Sequence, residues 1–88
     1  MKGARRLLLA HRPPPADLQA LVDHLVPDGD TWLHRFEPVG VSIARIGASS
    51  SVVVHTWPER GVLTLDGYGA ASVGLPARVQ ALGWHVLE

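Results

Sequence analysis

Leu18, Leu21, Val22 and Leu25 recur at the i, i+3, i+4, i+7 spacing of one helical face. This pattern predicts an amphipathic helix, with Asp17 in its first turn and Pro27 beyond its end. Upstream, Arg6 to His11 is a short apolar run that reads as a buried strand, and "HRPPP" ends it because prolines cannot donate to a ladder. After the turn cluster "VPDGD" the period changes to two. "TWLHRF" and "VGVSIARIG" read as strands divided by "EPVG", and "SVVVHTW" and "VLTLDGY" as two more joined through "PERG". Leu75, Val79 and Leu82 mark a second helix, with Pro76 in its first turn and Gly83 as a C-terminal stop, and "WHVLE" reads as a last short strand. The order strand, helix, four strands, helix, strand predicts an α+β fold: a two-layer sandwich of a mostly antiparallel sheet with both helices on one face.

The chain has 88 residues, 47% of them hydrophobic, which suits one domain spanning 1–88. A domain this small buries a modest share of its surface, so self-association is a natural route to stability. Eight basic residues balance eight acidic ones, which argues against nucleic acid or an anionic membrane as partner. The basic opening "MKGARRLLLAHRPPP" has an apolar run of only Leu7 to Ala10, too short for a secretory signal, and no stretch approaches the roughly 20 residues of a membrane span. There is no cysteine, so disulfide and thiolate chemistry are excluded and the expected compartment is the cytoplasm. The five histidines form no i, i+4 pair and no close cluster along the chain, so no metal is expected.

The chemistry-bearing stretch is "SSSVVVHTWPERG", Ser49 to Gly61. Strand alternation puts Ser51, Val53, His55 and Trp57 on one face and Val52, Val54 and Thr56 on the other, with Ser50 on the side away from His55. For the Ser50 hydroxyl to work with His55, the backbone at Ser49 to Ser51 must leave strand geometry through a turn or bulge before Val52. A serine in a tight turn holds its hydroxyl near the preceding carbonyl, the arrangement needed for attack on its own peptide bond. The plainer reading is that serines fill a loop and valines a strand.

"HTWPERG", with a serine five positions before its histidine, and "HRFEPVGVS" upstream together resemble the prokaryotic S-adenosylmethionine decarboxylases, pyruvoyl lyases of spermidine and other polyamine biosynthesis. The resemblance runs over Leu33 to Asp66, and the flanks follow by element order. It implies autocatalytic cleavage between Ser49 and Ser50, with Ser50 becoming a pyruvoyl cofactor. It implies that His55 is the processing histidine and Ser42 the serine that assists it. Phe36 falls on the aromatic that stacks on adenine and Glu59 on the acid that holds the ribose hydroxyls, with Trp57 among the substrate contacts. By their residue types alone, Phe36 and Trp32 would equally suit packing, Trp57 a place beneath the turn, and Glu59 a solvated charge. The family also implies a homodimer with its sites at or near the subunit interface and an S-adenosylmethionine-like small molecule as partner. Attack of the Ser50 oxygen on the Ser49 carbonyl gives an ester, and α-proton removal, elimination and hydrolysis then leave a ketone. A neutral histidine is well suited to move such protons.

The chain departs from the family pattern at Ser49 and Ser51, where glutamate and histidine are usual, and at Ala70, where the family has the cysteine that reprotonates the substrate carbon. Alanine has no transferable proton. Tyr68 and Ser72, two residues to either side of Ala70, are the candidate proton donors, and both project to one face if the strand stays regular there. The loop after Tyr68 is short for the family and the chain ends soon after the second helix. Two functions follow: a self-cleaving decarboxylase of S-adenosylmethionine or a related amino acid, or an uncleaved non-catalytic homologue that binds an adenosyl ligand or regulates a partner.

Overall fold

A computed structural model describes residues 3–10 and 18–88, so the expectations for His11, the proline run and Asp17 lie outside the described residues. The strands are β1 (Ala4–Ala10), β2 (Asp30–Arg35), β3 (Val41–Ile46), β4 (Ser50–Trp57) and β5 (Val62–Gly69), with helices α1 (Leu18–Leu25) and α2 (Leu75–Ala81). They form one sheet in the order β1-β5-β4-β3-β2. Every neighbouring pair is antiparallel. This is the α+β arrangement that the periodicities predict.

The apolar half of the alternation in β1, β3, β4 and β5 packs beneath the helices, whereas β2 buries none of its residues. Leu7, Leu9, Ile43, Val52, Val54, Leu63 and Leu65 close on Leu21, Val22 and Leu25 of α1 and on Leu75 and Val79 of α2. Each such side chain contributes about 1.5–3 kcal/mol when fully buried, so this layer dominates the stability. Arg45 also points to the helix side, opposite Val52. Its guanidinium donates to the carbonyls of Val26 and Pro27 at the end of α1 and pairs with Asp23 at 2.9 Å, tying that helix to the sheet.

Among the described residues, the other face of the sheet carries no helix. A row of directly paired residues, Trp32, Ala44, Val53, Asp66 and Arg6, crosses it from edge to edge. Trp32 is 57% exposed and Ile46 51%, although a tryptophan at this point of the alternation suits packing. At the far edge Arg6 Nε donates to Asp66 Oδ1 at 2.6 Å, and that hydrogen bond raises the guanidinium above its ordinary range.

Two connections differ from the sequence expectation. "WHVLE" forms a single bridge, Leu9 to Val86, along the outer edge of β1 and not a strand. The Trp84 N–H is still bound to the Val79 carbonyl of α2, and the segment beyond it meets β1 through irregular bonds, with the Leu87 and Glu88 N–H groups both donating to the Leu8 carbonyl. β5 ends at Gly69, and a 3-10 turn, Ala70–Ser72, follows. Gly69 adopts φ 65° and ψ −135°, a conformation that a side chain opposes, so the strand cannot continue regularly through Ala70 to Ser72. Tyr68 and Ser72 therefore do not share a strand face.

Candidate functional site

Antiparallel register brings the first pair of chemical groups together. Ser42 and His55 are direct partners across β3 and β4 on the open face. Their Ser42 Oγ and His55 Nδ1 atoms lie 2.6 Å apart, and the direction of that hydrogen bond follows the tautomer of the ring. The β2–β3 connection closes when the Phe36 N–H donates to the Gly40 carbonyl at 2.9 Å, which sets the Phe36 ring at the edge of the same face. The His34 ring meets it edge-on with centroids 4.5 Å apart. Beyond β4, the 3-10 turn Pro58–Arg60 carries Glu59 and is stopped by Gly61 at φ 67°, a left-handed position that suits glycine.

Phe36, Ser42, His55, Trp57 and Glu59 line one pocket of about 220 Å³, with Val39, Gly40 and Thr56 completing it. Trp57 is 45% exposed and forms part of this wall, so it does not pack beneath the turn. Thr56 was not singled out by motif. Its hydroxyl accepts from the Val41 N–H at 2.7 Å and donates to the Val41 carbonyl at 3.2 Å, which closes the pocket floor. The only signal for it in the sequence was its apolar-side position between His55 and Trp57.

The serine run lies at the opposite end of β4. The Gly47 N–H donates to the Ser50 carbonyl at 2.8 Å, closing a two-residue turn of Ala48 and Ser49. The Asp28 carboxylate receives the Ala48 N–H at 3.3 Å and braces that turn. Ser49, Ser50 and Ser51 line a groove of about 210 Å³ with Ile46, Gly47, Tyr68 and Gly69. Ser72 lies outside that lining, and its hydroxyl donates to the Gly69 carbonyl at 2.7 Å.

The expectation of a distortion that joins Ser50 to His55 within one chain is overturned. The ladder is regular from Ser50↔Gly69 to Trp57↔Val62, so Ser50 faces the helix side and His55 the open side. Five steps along the strand, with four residues between, separate them by about 16 Å. The turn exists, but it ends one residue too early to rotate Ser50. β4 is paired on both edges, to β3 and β5, and has no free residue for a bulge.

The family model described as S-adenosylmethionine decarboxylase matches residues 19–80, a span that includes both ends of β4. The chain belongs to the S-adenosylmethionine decarboxylase family. Among curated proteins it is similar to the S-adenosylmethionine decarboxylase proenzyme of Thermococcus onnurineus, 38% identical over 48 residues, which is 54% of this chain and 34% of that protein. The proenzyme of Pyrococcus horikoshii is 47% identical over 38 residues, 43% of this chain and 27% of that protein. That of Synechococcus sp. is 38% identical over 45 residues, 51% and 35% of the two chains. The matched stretch thus spans about a third of these relatives' own length. No solved structure matches the chain.

In this S-adenosylmethionine decarboxylase-family chain, Ala70 opens the 3-10 turn after Gly69. Among the described residues no three histidine, aspartate or glutamate side chains gather in a way that would hold a metal ion, and no helix is long and apolar enough to cross a membrane.

Proposed function

We propose that the chain is a self-cleaving S-adenosylmethionine decarboxylase-like protein that acts as a homodimer, each site drawing one end of β4 from either protomer. The observation that carries this reading is the separation of the two ends. The Ser42–His55 pair sits in one pocket and the Ser49–Ser50 bond in another, with a helix-free, partly apolar sheet face between them. Two copies that pack these faces together, about a two-fold axis lying between the sheets and perpendicular to the strands, bring the Ser50 end of one against the His55 end of its partner. The same packing removes Trp32, Ile46 and Trp57 from water, and aromatic side chains of this kind bury about 150–250 Å² each.

In that site Ser42 orients the His55 ring, and His55 moves protons to and from Ser50 during processing, for which the Ser50 side chain must leave the helix side of the resting ladder. Phe36 stacks on the adenine, Trp57 walls the pocket and Glu59 accepts the ribose hydroxyls. The Ser49–Ser50 bond lies at the exit of a braced turn, which fits conversion of Ser50 to a pyruvoyl group. That group supplies an electron sink for loss of carbon dioxide from S-adenosylmethionine or a related amino acid. With the Ser72 hydroxyl engaged by the Gly69 carbonyl, Tyr68, which lines the Ser50 groove, is the side chain assigned to return a proton to the substrate.

Mixing two inactive variants tests the shared site. Ser50→Ala and His55→Ala are each expected to stay intact, whereas co-refolded chains yield fragments Met1–Ser49 and a pyruvoyl-blocked remainder from the His55→Ala chain alone. A mixture that stays intact while the unaltered chain cleaves sinks the shared site. Ala70 favours a second reading, an uncleaved homologue that binds an adenosyl compound in the Phe36–Glu59 pocket. A chain that never fragments, yet binds S-adenosylmethionine by titration calorimetry, would establish that reading instead.

A further inference from the structure

Position 70 lacks the side chain that the family uses, yet its backbone touches the bond that the proposed cleavage breaks. The Ala70 N–H donates to the Ser49 carbonyl oxygen at 3.3 Å. The neighbouring groups fix that aim. Gly69 is the register partner of Ser50, its own N–H donates to the Gly3 carbonyl at 2.6 Å, and its carbonyl accepts the Ser72 hydroxyl at 2.7 Å. A Cβ at Gly69 would collide with the Ser49 carbonyl oxygen, and φ 65° with ψ −135° is in any case a glycine conformation. Only a residue without a side chain lets the two backbones approach this closely.

We propose that the Ala70 main-chain N–H is the oxyanion donor for self-cleavage at Ser49–Ser50, with Gly69 as the residue that positions it. This rests on the self-cleavage reading above. When the Ser50 oxygen adds to the Ser49 carbonyl carbon, a C–O bond forms, the hydroxyl proton passes to a base and the carbonyl oxygen takes the negative charge. The C–N bond then breaks, its nitrogen takes a proton, and an ester joins Ser49 to the Ser50 oxygen. A 3.3 Å contact is long for a neutral carbonyl, and it shortens and strengthens as that oxygen becomes an anion, so it favours the transition state over the ground state. A backbone donor is indifferent to the side chain it carries, so the alanine at this position is compatible with processing.

Ala70→Pro deletes the donor at the first position of a 3-10 turn, where proline is tolerated. Lactate in place of Ala70, introduced by chemical ligation, deletes only the N–H. Both are expected to slow fragment formation about 100-fold or more, the usual cost of one oxyanion donor, with circular dichroism unchanged. Intact mass follows the fragments, and hydroxylamine captures any ester that forms. If the proline variant fails to fold, the lactate variant decides. Wild-type cleavage rates in the folded variants overturn this inference and leave self-cleavage standing. An unaltered chain that never cleaves overturns both.

Discussion

Ser42 and His55 meet on the solvent side of the sheet, and neither side chain belongs to the buried layer. Ser42→Ala therefore removes the partner of Nδ1 with little effect on folding. The melting temperature is expected to stay within the change produced by about 0.5 kcal/mol. Fragment formation is expected to slow about 10- to 100-fold, part of the 10²–10⁴ that a well-placed acid–base group contributes. A matched fall in stability and cleavage would assign Ser42 to the fold instead. The two residues were named through the family resemblance, and their direct pairing appears only once β3 and β4 are set in register. The relation of Ser50 to His55 was not legible in the sequence, because it depends on β5, whose pairing with β4 leaves no slack for a bulge. Arg45 was hidden for a similar reason: alternation marks its side, but only the arriving end of α1 shows that carbonyls there receive its guanidinium.

At the scale of elements, the helices and the four central strands follow from period and turn residues, and the misread pieces are those decided by neighbours. The final "WHVLE" is held back by its hydrogen bond to α2, and the strand through Ala70 is broken by Gly69. The β3–β4 turn is the element on which the proposed cleavage depends, and Asp28 braces it from the loop after α1. A Cβ on Gly47 would collide with the Asp28 carboxylate and stand 2.9 Å from Val26 Cγ1. Gly47→Ala must therefore shift the turn, at an expected cost of about 1–3 kcal/mol in denaturant unfolding, together with slower cleavage. Adding Asp28→Ala removes one of the two obstacles, so the double variant is expected to be more stable than the sum of the single losses. Strict additivity would mean that Asp28 and Gly47 do not share the turn.

For the whole molecule, the helix-free face is the feature that links stability to chemistry. Trp32, Ala44 and Val53 lie side by side across its middle, and Ala44 lines a cavity of about 410 Å³ there with Ser42 and His55, so the concentration dependence of the unaltered chain is the control for any direct effect of a substitution at Ala44. Ala44→Arg leaves the core untouched, because the new side chain points to solvent in a single protomer. In two faces packed together it puts an unpaired guanidinium in the interface, and the two-fold axis doubles it. Unfavourable charge of this kind costs several kcal/mol, so the dimer constant is expected to weaken about 100-fold or more. Sedimentation velocity should then find a folded monomer. Cleavage should fail in it although Ser50, His55, Ser42 and Ala70 are all present, because no single chain brings the hydroxyl and the imidazole together. For the unaltered chain the same logic requires fragment formation to become concentration-dependent below the dimer constant. A monomer that cleaves at a rate independent of concentration would mean that one chain reaches a conformation in which β4 releases Ser50 from Gly69, and the shared site would be withdrawn.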